Sequence, residues 1–131
     1  MARLAHSRVA RLATITESGR PHIVPIVFAV DGHTLFFAVD SKPKRTTHLK
    51  RVRNIEANAS VSILADHYDD ADWNALWWVR ADGVARVIID DAEAERAIAL
   101  LADRYPQHRR TRPHGPVVAV TIERVIGWSG A

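Results

Sequence analysis

Hydrophobic and β-branched residues dominate the first forty positions, and short polar turns interrupt them. Residues 9–15 alternate as expected of a strand buried on at least one face. After the turn ESGR, the stretch PHIVPIVFAV ends at the hairpin signal Asp31-Gly32, and the apolar run TLFFAV follows. This pattern predicts three antiparallel strands. Pro25, inside the second of them, has no N–H to donate, so we expect a sheet edge, a bulge or a ligand beside it.

Two helices are predicted farther along the chain. Residues 46–53 form a short one, with a proline shortly before it. Residues 91–105 form the clearer one, because apolar side chains recur at spacings of three and four along one face. Asp90 with Glu93 resembles a capping box at its start.

Three further strands complete the predicted sheet. SVSILAD is one, LWWVRADGVARVIID is a long strand or a hairpin interrupted at Gly83, and VVAVTIERVIGW follows a polar loop at 106–116. Six strands and two helices without a repeat or linker predict a single domain over residues 1–131. The fold class is mainly β with flanking helices, arranged as a small antiparallel barrel.

Composition excludes several classes of protein. With 47% hydrophobic and 25% charged residues, the chain is typical of soluble globular domains. Its longest charge-free runs have ten residues, about half of what a membrane helix needs, and no signal peptide is visible. The absence of cysteine excludes disulfides, thiolate nucleophiles and Cys-ligated metals. We expect a cytoplasmic protein without a membrane partner.

Positive charge is concentrated rather than spread along the chain. Residues 42–53 contain six lysines and arginines and no acidic residue. Because the whole chain carries +3, the remainder carries −3. A second basic cluster comprises Arg104, Arg109, Arg110 and Arg112. Such focused charge indicates a discrete anionic ligand more than a general polyanion.

The first basic segment lies between a strand end and a helix start. Lys42, Lys44 and Arg45 precede the helix, and Thr46 and His48 add donors from its first turn. Backbone N–H groups at a helix N-terminus favour anions, and an arginine fork can grip two phosphate oxygens, so we favour phosphate binding. A solvated basic helix face is the alternative interpretation. A DNA recognition helix is less favoured, because the chain lacks a basic domain overall and a helix-turn-helix, and we expect no nucleic-acid partner.

No other motif indicates chemistry carried by protein side chains. The seven histidines show no metal-ligand spacing, the acidic run HYDDAD lacks the EF-hand pattern, and no nucleophile elbow occurs. We expect no metal and no catalytic side chain, so that a cofactor would carry any reaction. Trp77 and Trp78 are neighbours and point to opposite faces of a strand, so one of them is expected to cover another subunit or stack on a flat ligand.

The segments RLATITESGRPHIVPIVFAVDGHTLFFAVDSKPKRTTHLKRVRNI, SVSILAD and DWNALWWVRADGVARV, in this order, resemble the pyridoxamine-phosphate-oxidase-like split β-barrel superfamily. The resemblance covers almost the whole chain. G-R-P-H-x-V-P with a basic strand-to-helix turn is similar to the superfamily pattern, and WWVR resembles the actinobacterial branch that uses the deazaflavin coenzyme F-420. It implies a six-stranded antiparallel split β-barrel of the FMN-binding type.

The resemblance also implies a cofactor site. In the superfamily a basic pair, a polar residue three positions later and a leucine hold the phosphate, and Lys44, Arg45 and His48 take those places. This chain has Lys-Arg where Arg-Lys is frequent, and histidine where glutamine or asparagine is common. The resemblance also matches Val24–Ile26 to the strand along which the cofactor ring lies, and Val39–Lys42 to the turn beside the ring. The implied cofactor-binding set, with Thr46 added from its position in the helix, is Val24, Pro25, Ile26, Val39, Asp40, Ser41, Lys42, Lys44, Arg45, Thr46, His48, Trp77 and Trp78.

The implied activity is hydride transfer from reduced coenzyme F-420 to an electron-poor small molecule. The implied assembly is a homodimer with the cofactor at the subunit interface, to which Trp77 and Trp78 contribute. Lys50, Arg51 and Arg53 lie near enough in sequence to meet the polyglutamate tail of coenzyme F-420, which favours the deazaflavin over FMN. Two alternatives stay open: an FMN-binding flavoprotein of the same superfamily, and a non-catalytic carrier of cofactor or haem.

Overall fold

The computed structural model describes residues 1–39, 46–89, 91–113 and 115–131, with the backbone alone at 46–49. Its helices and strands, in chain order, are α1 (Ala2–His6), β1 (Ala10–Ile15), β2 (Pro21–Ile26), β3 (Ala29–Asp31), β4 (Thr34–Ala38), α2 (Thr46–Ala57), β5 (Ser60–His67), a 3₁₀ turn (Trp73–Ala75), β6 (Trp77–Ile88), α3 (Ala92–Arg104), α4 (Pro106–Arg110) and β7 (Val117–Ser129).

The strands form one antiparallel sheet in the order β2-β1-β5-β6-β7-β4-β3. Strands β2 and β3 are its two edges, yet only Val27 and Phe28 separate them in the chain. Two residues span roughly ten ångströms at most, so the sheet curls until its edges meet. The predicted mainly-β split barrel with flanking helices is therefore confirmed.

The sheet has seven strands where six were predicted. The difference arises in PHIVPIVFAV, which the alternation predicted as one strand. The structure divides it into β2, which pairs with β1, and β3, which pairs with β4 at the opposite edge. Pro25 lies on edge strand β2, where its missing N–H leaves no interior ladder bond unmade.

Hydrophobic side chains fill the barrel and also pack beneath α3. Leu12, Phe37, Ile63 and Val120 belong to the fully buried barrel core. A second cluster between the sheet and α3 contains Phe36, Ile88, Ala94, Ala97, Val117 and Ala119. Strands β4 and β7 are thus buried on both faces over these residues, which explains the uninterrupted apolar runs TLFFAV and VVAV.

Two predictions need correction, and one open alternative is decided. The N-cap of α3 is Asp91, whose carboxylate accepts a hydrogen bond from the N–H of Ala94 at 2.9 Å; the predicted cap, Asp90, lies outside the described residues. The stretch 106–116 is not all loop, because Pro106 opens the short helix α4. For LWWVRADGVARVIID a long strand or a hairpin was predicted, and the long strand is confirmed: β6 is continuous, with a register shift between Asp82 and Gly83.

Among the residues that the structure describes, no helix is long and apolar enough to span a membrane. Among the described residues, no group of three or more His, Asp or Glu side chains is arranged to hold a metal ion.

Candidate cofactor-binding cleft

A cleft of about 410 Å³ opens where the two edges of the sheet approach each other. One wall comes from the end of β2 and the link after it, and another from the end of β4. Helix α2 and the segment that begins with α4 complete it. The lining residues are Val9, Pro25, Ile26, Val27, Phe37, Ala38, Val39, Arg51, Gln107, His108, Thr111, Arg112 and Pro113. Eight of them, the first seven and Pro113, are apolar, so the cleft offers a hydrophobic surface beside two cations.

Hydrogen bonds from the end of α3 fix the link between β2 and β3. The hydroxyl of Tyr105 accepts from the N–H of Phe28 at 3.1 Å and has the carbonyl oxygens of Phe28 and Arg8 at 2.9 and 3.1 Å. The guanidinium of Arg104 donates to the carbonyl oxygens of Phe28, at 3.0 Å, and of Ser7. These bonds hold the hydrophobic corner of the cleft in place.

The second basic cluster divides into structural and cleft-facing arginines. Arg104 donates to the carbonyl oxygens of Phe28 and Ser7. Arg109 donates to the carbonyl oxygens of Ala102 and Asp103, at the C-terminal end of α3. Arg110 lies 3.5 Å from the side-chain oxygen of Gln107 and does not line the cleft. Arg112 alone of the four lines it.

Arg51 projects from α2 into the same cleft and is half-buried. Its Nε is buried and has no hydrogen-bond partner among the described residues. Burial lowers the pKa of the Arg51 guanidinium because desolvation disfavours the charged form. An arginine nevertheless stays protonated in proteins, so the cleft contains a partly dehydrated cation.

A second and larger groove, of about 620 Å³, lies on the outer face of β1, β5 and β6. Its apolar floor is open to solvent: Ile23 is 66% exposed, Trp128 49% and Leu64 37%. Trp78 is the register partner of Trp128 on the neighbouring strand, and both line the groove. We call this surface the outer groove.

Charged side chains of both signs border the outer groove. Asp82 accepts from the hydroxyl of Ser62 at 2.7 Å and from Nε of Arg80 at 3.0 Å. These bonds, that of Ser62 first, lower the pKa of the Asp82 carboxyl. Arg11 and Asp66 lie 3.9 Å apart across β1 and β5. Arg11, Ser62, Asp66 and Arg80 line the groove, so its rim is polar and carries charges of both signs.

A family profile described as pyridoxamine 5'-phosphate oxidase matches residues 1–129, nearly the full chain. The chain belongs to this family. Its fold is the flavin-binding split barrel of the pyridoxamine oxidase type. No curated protein sequence matches the chain.

Solved structures share the family fold at low sequence identity. A conserved hypothetical protein from Mycobacterium tuberculosis is 22% identical, with a TM-score of 0.78 over 98% of this chain and 81% of that one. A FAD-binding protein from Mesorhizobium loti is 21% identical, with a TM-score of 0.71 over 96% and 88% of the two chains. HutZ, the heme storage protein from Vibrio cholerae, is 19% identical, with a TM-score of 0.69 over 95% and 87%. At these identities the likeness shows the fold alone.

The pyridoxamine-oxidase-type barrel brings together some of the residues predicted for the cofactor. Pro25, Ile26 and Val39 line the cleft, whereas Val24 is partly buried and packs against the barrel core. The side chains of Thr46 and His48 are not described, although both residues belong to α2. Asp40, Ser41, Lys42, Lys44 and Arg45 lie outside the described residues.

Trp77 and Trp78 line the outer groove and not the cleft that contains Pro25 and Val39. Trp77 packs against the barrel core and stacks on His67 with ring centroids 6.3 Å apart. Their assignment to a cofactor site therefore depends on a second subunit and stays a prediction.

The sequence-based site omitted several lining residues of this family member. Val27 and Phe37 were assigned only to a strand, because an apolar residue beside a cleft has no distinguishing pattern. The stretch 106–116 was predicted as a polar loop, and the structure places five of its residues in the cleft wall, between 107 and 113. Its high density of basic residues was the available signal for Arg112.

Proposed function

We propose that the protein is a coenzyme F-420-dependent oxidoreductase that binds the deazaflavin in the cleft. One observation carries this proposal: Pro25, Ile26 and Val39, expected beside the cofactor ring, converge on the same cleft as the unpartnered cation Arg51. When bound, the reduced cofactor would supply a hydride for an electron-poor small molecule. The alternative in which residues 42–53 are only a solvated basic face does not account for the buried Nε of Arg51.

The protein's contribution would be binding, orientation and exclusion of water. The apolar walls at Pro25–Val27 and Phe37–Val39 suit a flat ring system. Holding both reactants against these walls would remove translational freedom before the reaction. We assign no acid, base or nucleophile, in agreement with the sequence, and the reaction would depend on the geometry of the two reactants.

We assign the cofactor phosphate to Lys44 and Arg45, with Lys42, Thr46 and His48 as further donors. Support comes from the two flanks of this segment: Val39 before it and Arg51 after it line the same cleft. Asp40 and Ser41 stay assigned to the turn beside the ring. We keep Val24 in the proposed cofactor site on the family resemblance alone, because its side chain packs against the barrel core.

We further propose that two copies associate through the outer groove. Members of the family are commonly dimeric with a flavin cofactor. A second copy would bury the exposed apolar floor, and the rim carries Arg11 and Arg80 together with Asp66. Under two-fold symmetry, Arg11 of one copy would then face Asp66 of the other. Trp77 and Trp78 would then lie at the interface, as the resemblance implies.

A fluorescence titration with coenzyme F-420 and, in parallel, with FMN tests the proposal. We expect micromolar or tighter binding of the deazaflavin, weakened at least tenfold by the double change Lys44→Ala and Arg45→Ala, or about 1.4 kcal/mol. The double change Arg20→Ala and Arg96→Ala is the matched control, because it removes the same charge from exposed positions outside the cleft. Equal losses in both double variants would indicate a general field effect and remove the assigned phosphate site.

Binding of FMN alone would keep the cleft and replace the proposed enzyme with a flavoprotein. A haem or cofactor carrier is the second candidate, favoured by the imidazole of His108 in a mostly apolar cleft and by the structural likeness to HutZ. A haem titration followed by the Soret band distinguishes it. Saturable haem binding that is lost on His108→Ala, together with no F-420-dependent reduction of quinones or nitroaromatics, would support the carrier.

A further inference from the structure

Arg51 lacks the partner that a half-buried cation normally has. Its Nε is buried without a hydrogen bond, and no described carboxylate forms an ion pair with its guanidinium. A dehydrated charge without a counter-ion is unfavourable. An anion entering the cleft would supply the missing interaction.

A second cation, Arg112, lines the cleft from the segment that follows α4. Arg112 is exposed, whereas Arg104 and Arg109 donate hydrogen bonds to backbone carbonyl oxygens. It forms no ion pair with any described side chain. Gln107 and Thr111, on the same segment, add neutral donors.

The cleft also lacks negative charge. No Asp or Glu occurs among its described lining residues. The eight apolar lining residues exclude water from part of the surface, which strengthens any charge–charge interaction there. The two guanidinium groups therefore act on a ligand without competition from a protein carboxylate.

We propose that Arg51 and Arg112 together bind an oxyanion, a carboxylate or a phosphate, of a ligand that occupies the cleft. This inference rests on the proposed function in that the ligand enters the same cleft, but it assigns an anion site separate from Lys44 and Arg45. A guanidinium fork pairs with two oxygens at once, which a neutral amide of the same shape cannot reproduce. The site thus selects acidic ligands over neutral isosteres.

Calorimetric titration with 2-naphthoate and 2-naphthamide tests the site, because these probes differ in charge and hardly in shape. We expect naphthoate to bind at least tenfold more tightly than the amide. Arg112→Gln should remove most of that preference, while Arg110→Gln should leave it unchanged, since Arg110 is a neighbouring exposed arginine that does not line the cleft. Arg51→Lys should retain a weaker preference, and Arg51→Gln should lose it.

Equal affinities for the two probes would overturn the proposal, and so would equal losses in Arg112→Gln and Arg110→Gln. Repeating the titration with saturating coenzyme F-420, or FMN if that binds, assigns the occupant. Competition would show that an acidic group of the cofactor occupies the oxyanion site; undiminished naphthoate binding would assign it to the second reactant. Either result supports the site. If no cofactor binds but the charge preference and its dependence on Arg112 persist, the proposed function fails and the oxyanion site stands.

Discussion

The hydroxyl oxygen of Tyr105 lies 3.1 Å from the backbone nitrogen of Phe28 and 2.9 Å from the carbonyl oxygen of the same residue. Both residues are buried, and 77 positions separate them in the chain. Phe28 belongs to the link between the two sheet edges, so one side chain at the end of α3 satisfies the backbone where the barrel closes. The guanidinium of Arg8 stacks over the Tyr105 ring at 4.6 Å and adds a cation–π contact.

We expect Tyr105→Phe to destabilise the protein by about 1–3 kcal/mol, because it leaves a buried N–H and carbonyl of Phe28 with one partner fewer. Urea unfolding followed by circular dichroism measures the change. Tyr68→Phe is the control: Tyr68 is 61% exposed and bonds only Asp70 on the surface. A loss in Tyr105→Phe no greater than in Tyr68→Phe would show that the link does not depend on this hydroxyl.

A buried polar pair positions α2 against the sheet. The side-chain amide of Asn54 donates to the hydroxyl of Thr14 at 3.1 Å, and both residues are almost fully buried. Asn54→Ala should cost about 1–3 kcal/mol, since it leaves the Thr14 hydroxyl unpaired. The double variant Asn54→Leu with Thr14→Val should recover part of the loss. Exposed Asn74→Ala is the control.

Because Arg51 lies one turn before Asn54, Asn54→Ala should also weaken ligand binding in the cleft. Parallel titrations with the ligand identified for the wild-type protein check this. A variant with reduced stability and unchanged affinity would indicate that the Thr14–Asn54 contact stabilises the barrel without positioning the helix.

Local patterns predicted most strands, but long-range contacts decided where the sheet divides. Val27 and Phe28 are apolar like their neighbours, so nothing in PHIVPIVFAV marks the end of β2; the bonds from Tyr105 mark it. The basic cluster likewise looked uniform in sequence. Only tertiary contacts distinguish Arg109, which caps a helix end, from Arg112, which faces the cleft.

Trp77 and Trp78 are neighbours on β6 and both line the outer groove, but their other contacts differ. Trp77 reaches the barrel core, and Trp78 pairs with Trp128 across the outer face. The start of α4 was available from the sequence, since proline at the first helical position favours a helix. Of the predicted site, the apolar residues at β2 and β4 could be placed together; the position of the basic segment 40–45 relative to them stays a prediction.

An ion pair between α3 and β6 should make stability depend on acid pH. The guanidinium of Arg86 donates to both carboxylate oxygens of Glu93, at 2.8 and 2.6 Å, and thereby lowers the pKa of Glu93. A lowered folded-state pKa contributes stability above the ordinary glutamate range, and this is lost as pH falls through the folded-state value. Because the pair is on the surface, we expect only about 0.2–1 kcal/mol.

Glu93→Gln should therefore be less stable than the wild type at pH 7, and the difference should be smaller at pH 3. Urea midpoints at the two pH values measure it. Glu95→Gln is the control, since Glu95 is exposed on the same helix and has no ion pair among the described residues. A constant difference between wild type and Glu93→Gln at both pH values would exclude the carboxylate as its cause.

The outer groove provides the last prediction, which concerns assembly. If a second copy covers it, sedimentation at micromolar concentration should give twice the chain mass of 14.6 kDa. Ile23→Asp should shift the protein towards the monomer, because the change buries a carboxylate in an apolar interface without a partner. Ile89→Asp is the matched control: Ile89 is 64% exposed, close to the 66% of Ile23, but does not line the groove. A monomeric wild type would remove the interface assigned to Trp77 and Trp78, and dissociation by both variants would place the contact elsewhere.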